Sequence, residues 1–372
     1  MSEQSELRRV LAPYVRIGVQ HESLYLGFGS IQRIIDTKEM WEPLIRLADH
    51  YSSPRTDSEA VYFLETECGL DHDGAHETVE VLQKGRFLIE HGGYQPGDRY
   101  SRPSLFYALA GADPSGVQER LASSHVMFLG CGGIGNLLSV TLATAGVGQV
   151  TLVDADRVET SNLTRQYLFT EADVGALKCE VLGEAIRCRN STTTVRTIER
   201  EIAADSDLGS LPPADLLVLS ADAPGLVELV NGYCVETGLT WLNVCYVNDI
   251  AVWGPLVVPG ITGCWTCRPL VARCFPDNGD LNAMVTRINR RFQAPSYGST
   301  NMLAAGLASL DVLKHLGGFG VPQSLNRRVG VWTHELRLDQ QEADPNPECS
   351  TCGNLQRQRP RAENRRRTQE DE

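Results

Sequence analysis

Three groups of residues have the types and the spacing of chemistry. The run Gly130-Cys131-Gly132-Gly133-Ile134-Gly135 has the glycine pattern of a loop that turns tightly and lets phosphate approach the N–H groups opening a helix. Asp154 stands 24 positions beyond Gly130, where an acid ending the next strand grips ribose hydroxyls. The stretch Asp154-Ala-Asp156-Arg157-Val158-Glu159-Thr160-Ser161-Asn162-Leu163-Thr164-Arg165-Gln166 is denser in polar donors than hydride transfer requires. Such donors suit phosphoryl chemistry, in which fixed cations meet the charge that moves onto departing pyrophosphate. Arg165 and Lys178 are the candidate cations. Asp222 follows the apolar run LLVLS and fits a Mg²⁺ ligand, because a carboxylate beside a triphosphate is repelled unless a divalent ion lies between them. Its structural alternative is a helix N-cap ahead of Pro224. Cys264-Trp-Thr-Cys267 and Cys349-Ser-Thr-Cys352 are two CxxC pairs separated by 82 positions. They form the ligand set of a tetrathiolate Zn²⁺ site, structural because no coordination position stays open. A redox role fits poorly, since neither pair opens a helix after a strand. Cys131 suits a small buried residue beside phosphate better than a nucleophile.

An α/β alternation must position these groups. A buried strand HVMFLG precedes the glycine loop, a helix is expected over 136–145, and a second strand over 149–153. Further strands are expected at 192–198, 216–220, 241–247 and 251–258, a helix at 301–316, and a strand at 328–338. Ahead of these, residues 14–36 read as short strands with turns, followed by amphipathic helices over 39–50, 57–68 and 76–90. The expected organisation is a recognition module over 1–95, a nucleotide-binding domain over 96–353, and a disordered polar tail over 354–372.

Composition excludes several classes of function. Of 372 residues, 34 are basic and 47 acidic, a net charge of −13 that repels a nucleic-acid backbone or an anionic membrane surface. The first 98 residues hold nine Lys and Arg against seventeen Asp and Glu, a net of −8, so a DNA-binding winged helix is disfavoured there. No apolar run approaches the ~18 residues of a membrane span, and the polar, acidic amino terminus gives no sign of a signal peptide. Eleven cysteines, an odd number, suit the cytoplasm better than a disulfide framework.

The segments GCGGIGN, DADRVETSNLTRQ, GALK ending at Lys178, and SADAPG resemble the E1-like, ThiF/MoeB-type adenylating superfamily of the ubiquitin activators and the bacterial activators of sulfur-carrier proteins. The resemblance runs from about Arg99 to Gly353. It implies an α/β, Rossmann-like doubly wound domain that binds ATP through Gly130, Gly132, Gly133, Gly135, Asp154, Asp156, Asn162 and Gln166. Asp154 would hold the ribose, Asn162 and Arg165 the phosphates, Lys178 the leaving group, and Asp222 the Mg²⁺. Arg102 matches an arginine that crosses a twofold interface into the partner's ATP site, which implies a homodimer, and the family also carries the structural zinc. The carrier activators place a cysteine where this chain has Arg287. Cys274 lies thirteen positions earlier, so transthiolation is not expected and another nucleophile captures the acyl-adenylate.

The layout of the first 95 residues, winged-helix-like α+β, resembles the peptide clamp of enzymes that mature ribosomally made peptides, the microcin C7-type and pantocin A-type enzymes. The resemblance implies a cytoplasmic, ATP-dependent enzyme that docks a precursor peptide and adenylates a carboxyl or carboxamide-derived group. A leader would add a strand to the edge of the 15–34 sheet against the third helix. Pantocin-type condensation of glutamates is favoured over microcin-type AMP transfer to a peptide C-terminus. The alternatives are a non-catalytic leader-docking scaffold, a sulfur-carrier adenylyltransferase and an NAD-dependent oxidoreductase. Arg287, Arg290 and Arg291 either draw a peptide carboxylate inward or solvate a loop.

Overall fold

The computed structural model describes residues 6–268, 279–290 and 294–357, and the chain divides into two compact units, 1–119 and 120–372. Unit 1 contains β1 (Arg9–Leu11), β2 (Ile17–Gln20), β3 (Ser23–Leu26), β4 (Arg33–Ile35), α1 (Trp41–His50), α2 (Asp57–Glu67), α3 (His72–Lys84), β5 (Leu88–Glu90) and α4 (Ser101–Leu109). Strands β2, β3 and β4 form an antiparallel sheet in that order, and β1 pairs antiparallel with β5. Helix α2 starts where a capping box can close: Glu59 N–H donates to Thr56 Oγ1 at 3.1 Å and Thr56 N–H to Glu59 Oε2 at 3.0 Å. Asp71 caps α3 by accepting the Gly74 N–H at 2.9 Å. The three helices and the small sheet share a core that includes Leu24, Leu26, Leu44, Leu47, Leu64 and Leu82. The unit is the α+β fold expected.

Two local expectations are corrected. The third helix runs over His72–Lys84, earlier than the expected 76–90. A side chain at Gly85 would strike the Phe87 ring at 2.4 Å, and the chain beyond it becomes β5, whose partner lies near the amino end of the chain. The expected strand over 328–338 is a hairpin, described below.

Helix α5 (Pro114–Ser123) contains the division between the units. Unit 2 then continues through β6 (His125–Leu129), α6 (Gly133–Thr144), β7 (Gln149–Val153), α7 (Lys178–Arg187), β8 (Thr194–Ile198), α8 (Asp205–Gly209), β9 (Leu216–Leu219), α9 (Leu226–Thr237) and β10 (Thr240–Val247). It ends with β11 (Ile250–Val257), α10 (Gly279–Asn289), α11 (Gly298–Gly317), β12 (Arg327–Trp332), β13 (Arg337–Glu342) and α12 (Gly353–Arg357). These strands form a sheet in the order β13-β12-β11-β10-β9-β6-β7-β8. The five strands from β10 to β8 are parallel, whereas β11, β12 and β13 are added antiparallel. Every residue of β9 is buried, as expected for a parallel strand covered on both faces. The chain turns from β12 to β13 through Leu336, whose φ of 52° marks the turn without a glycine to signal it.

The order of the parallel strands reverses between β6 and β9. The crevice outside their carboxyl ends is where open α/β sheets bind ligands. Residues 354–357 belong to α12, which corrects the expectation of a disordered tail for those positions; the rest of that tail lies outside the described residues. Among the described residues no helix is long and apolar enough to cross a membrane.

Candidate active site and candidate metal centre

The glycine loop closes the reversal point between β6 and β9. Gly130 has a φ of +100°, and a Cβ there would lie 2.7 Å from the backbone nitrogen of Ala221, just beyond β9. A Cβ on Gly135 would lie 2.0 Å from the Gly130 carbonyl oxygen, so this glycine lets α6 pack on the loop that starts it. Gly132 is the N-cap of α6 and offers no side chain, which leaves the N–H groups of the first turn as the donors at that end. At Gly133 the close neighbour is unexpected: a Cβ would meet Nδ2 of Asn301, on α11, at 2.2 Å.

Asp154 follows β7 with both carboxylate oxygens held. Oδ2 accepts the Cys131 N–H at 2.6 Å and Oδ1 the Asp156 N–H at 2.7 Å. Burial raises its pKa above the ordinary carboxylate value, opposed by those two bonds and by Lys178. Lys178 opens α7 and is buried. Its ammonium donates to Asp156 Oδ2 at 2.7 Å, and its N–H donates to the Asp156 carbonyl at 2.9 Å. Asn162 is buried with Oδ1 accepting the Glu159 N–H at 3.1 Å, and this turns the chain so that Gln166 lies by the loop. Gln166 Nε2 is 3.8 Å from the Cβ position of Gly132. Arg165 is half-buried and its Nη1 donates to the Ser161 carbonyl at 2.8 Å.

Asp222 is exposed between β9 and α9, with no hydrogen bond or ion pair among the described residues. The N-cap of α9 is Gly225, in the left-handed region with φ 81°, so the N-cap alternative for Asp222 is corrected. The loop thus brings together Gly130 to Gly135, Asp154, Asp156, Asn162, Gln166 and Lys178, with Asp222 one residue beyond the contact at Ala221. Arg102 is exposed on α4 of unit 1. Cys131 is fully buried, and burial drives its thiol far above its ordinary value, which fits packing and not nucleophilic attack. Arg287 is exposed on α10 and Arg290 directly follows that helix; Arg291 and Cys274 lie outside the described residues.

Two residues that the sequence reading missed belong here, Asn301 and Asn136. Both are buried, and each has one polar atom without a partner: Oδ1 of Asn301 and Nδ2 of Asn136. Gln166 Oε1 is likewise unpaired. Buried polar atoms without partners are rare in folded proteins. Three carboxamides in that condition around one glycine loop describe a cradle with hydrogen-bonding capacity in reserve. The available signal for Asn301 was a carboxamide in the first turn of an otherwise apolar helix.

The four sulfurs of Cys264, Cys267, Cys349 and Cys352 lie within 4.8 Å of one another. The sulfurs lie 3.7 Å apart for Cys264 with Cys349, 3.9 Å for Cys264 with Cys267, and 3.3 Å for Cys267 with Cys352. A tetrahedral Zn²⁺ with bonds of about 2.3 Å sets sulfurs about 3.8 Å apart, so the donor set and its spacing fit the ion. Further donors surround the cluster, with Asn231 Nδ2 at 3.6 Å from Cys264 Sγ and the Cys264 N–H at 3.4 Å from Cys267 Sγ. Such contacts orient ligands and favour their thiolate form. Within this cluster, hydrogen bonds from Cys267 and Cys352 lower the pKa of Cys264, and the same contacts raise those of Cys267 and Cys352.

The sequence model of the ThiF family matches residues 100–351. The chain belongs to the ThiF family. Within it, the sulfur carrier protein adenylyltransferase of Thermus thermophilus is 31% identical over 273 residues, 70% of this chain and 93% of that protein. The molybdopterin-synthase adenylyltransferase of Escherichia coli is 28% identical over 256 residues, 68% and 96% of the two chains. Solved structures of E. coli MccB, the microcin C7 biosynthetic enzyme, superpose with a TM-score of 0.87 at 38% identity, covering 93% of this chain and 100% of the other. MccB has been solved with ATP and with N-formylated MccA. This ThiF-family chain is an ATP-dependent adenylating enzyme with the E1-like fold.

Proposed function

We propose that the enzyme binds a ribosomally made precursor peptide and transfers AMP to its carboxyl-terminal residue, the microcin C7 kind of maturation. The observation that carries this reading is coverage. The likeness to MccB extends over 93% of the chain, which necessarily includes most of unit 1, whereas the carrier-protein adenylyltransferases match 70% or less. Unit 1 also offers a peptide a place to dock. Strand β4 is an edge with one free side, and beside it a groove of about 280 Å³ is lined by Arg33, Ile35, Glu77, Glu80, Val81 and Lys84. A peptide added to that edge would gain main-chain hydrogen bonds and place alternate side chains against α3. The MccB likeness supports AMP transfer over the glutamate condensation favoured from the sequence. Against the carrier-protein reading, α10 and Arg290, the described residues around Arg287, contain no cysteine.

In the proposed reaction a peptide carboxylate oxygen attacks the α-phosphorus of ATP. The bond from that phosphorus to the bridging oxygen breaks, and pyrophosphate leaves with the bonding pair. Asp154 holds the ribose, and the first-turn N–H groups of α6 with Asn162, Gln166 and Arg165 hold the phosphates. Lys178 exchanges Asp156 for the leaving pyrophosphate. Asp222 would hold Mg²⁺, and a divalent ion there would screen the triphosphate from the nearby carboxylates. The proposal includes a homodimer, in which Arg102 of the partner subunit completes the set of cations, and a cytoplasmic setting. The domain reading stays as proposed, with recognition by residues 1–95 and catalysis by 96–353.

The test is to incubate the purified enzyme with Mg-ATP and the short peptide encoded beside its gene, following pyrophosphate release and peptide mass. Gain of one AMP unit is the expected result. Loss of water or carbon dioxide without AMP would favour internal condensation, and peptide binding without ATP cleavage would favour a scaffold.

A further inference from the structure

Arg328, on β12, is 2% exposed. All the partners of its guanidinium are neutral: the Trp265 carbonyl at 3.1 Å, the Arg268 carbonyl, the Gln341 Oε1 at 3.0 Å, and the Trp265 ring with its centroid 4.0 Å away. Among the described residues no carboxylate pairs with it, and its Nε has no partner. A buried cation without an anion is strongly disfavoured, so a counter-charge is required.

Among the described residues, the cysteine cluster holding a divalent ion is the anionic group that this geometry supplies, since burial pushes the neighbouring Cys245 thiol up to about 11. Both backbone carbonyls bound by Arg328 lie in the segment that carries Cys264 and Cys267. Four thiolates around one divalent ion leave two net negative charges, themselves buried, since Cys264, Cys349 and Cys352 are all under 9% exposed. The centre and the arginine therefore each lack what the other provides. We infer that Arg328 is the counter-cation of the tetrathiolate metal centre, locked by Trp265 stacking and by the two carbonyls so that its charge offsets the surplus of the thiolates. A flat guanidinium stacks on an indole while its rigid fork meets separate acceptors, a planar geometry that an ammonium does not reproduce. The inference rests on the zinc reading.

The experiment uses the full-length protein, with zinc content measured by elemental analysis and zinc affinity by competition with a chromophoric chelator. Wild type should hold about one zinc per chain. Arg328→Met should weaken zinc binding about 10- to 100-fold, the usual scale for groups that support metal ligands, and Arg328→Lys should recover part of that loss. Arg328→Gln keeps hydrogen bonding to the carbonyls but not the charge, and it should lose as much affinity as the methionine variant; this keeps the test decisive if Arg328→Met fails to fold. Cys349→His removes one negative charge from the centre, so in that background the loss caused by Arg328→Gln should shrink to about a few-fold. An unchanged affinity in Arg328→Gln, or an equal loss in both backgrounds, would show that Arg328 only packs the loop. A wild-type protein without zinc would overturn the zinc reading and this inference together, whereas zinc-loaded wild type with an indifferent Arg328→Gln overturns this inference alone.

Discussion

The ammonium of Lys178 lies 2.7 Å from the carboxylate of Asp156, and the two ends of this ion pair face different surroundings: the lysine side chain is 9% exposed and the aspartate 71%. The buried cation is thereby kept paired. The exposed carboxylate can swing into solvent at small cost, which in the proposed reaction would leave the lysine for a phosphate.

Lys178→Met should therefore reduce ATP–pyrophosphate exchange about 100- to 1000-fold, the scale of removing one preorganised charge donor. Asp156→Asn should have a smaller effect, because it removes the parking place and not the cation. The check is the exchange assay with thermal melting as a folding control, and wild-type exchange by Lys178→Met would refute the assignment.

Gly133→Ala should destabilise the protein by about 1–3 kcal/mol through overpacking against Asn301, because its Cβ would meet Asn301 Nδ2 at 2.2 Å. Asn301→Ala in the same chain should restore most of that loss while leaving nucleotide affinity low. Urea unfolding and ATP titration of the single and double variants measure both. No penalty for Gly133→Ala would mean that the two residues are not in contact.

Acid should weaken the fold as the histidines of the unfolded chain take up protons. Burial lowers the pKa of His50, His125 and His315, so in the folded state each stays neutral to lower pH than in the unfolded chain. The unfolded chain then binds more protons, and stability rises with pH. Their contribution is complete above the ordinary histidine value of about 6.5 and is lost as pH falls below it. Urea midpoints taken about one pH unit above and below that value should show the drop, and His315→Gln should reduce it; a midpoint indifferent to pH would exclude the three histidines.

Val81→Asp should weaken binding of the precursor peptide at least about tenfold, since it places a carboxylate in the apolar part of the groove beside Ile35. ATP binding should be unchanged. Calorimetric titration of each ligand separates the two effects, and equal peptide affinity would move the docking site elsewhere.

What the sequence revealed depended on how locally each feature is written. The glycine loop, the Asp154 to Gln166 stretch and Lys178 lie within about fifty consecutive residues, and the parallel strands that carry them are marked by continuous apolar runs. The cysteine pairs were legible across a long gap because few chemistries use two such pairs. Asn301 was not, because its meaning is a contact with Gly133 made through the packing of α11 on α6, and no local pattern records it. Strand β5 was read as helix because its partner β1 is remote in sequence. The turn from β12 to β13 was missed because Leu336 adopts a glycine-like φ. Arg328 entered the sequence reading only as the first residue of the expected 328–338 strand, because nothing local marks a buried arginine.

The placement of the two cysteine pairs has a consequence for the topology of folding. A metal joining Cys267 to Cys349 closes a ring of about eighty residues that contains α10, α11, β12 and β13. By the chain-entropy argument used for cross-links, closing a ring of that size removes about 4–5 kcal/mol of freedom from the unfolded chain. That ring carries Asn301 on one side and the antiparallel edge of the sheet on the other. Zinc, though it has no open position for catalysis, would therefore set the persistence of the nucleotide cradle: an apo chain would lose the restraint on α11, and with it the residue that closes over Gly133.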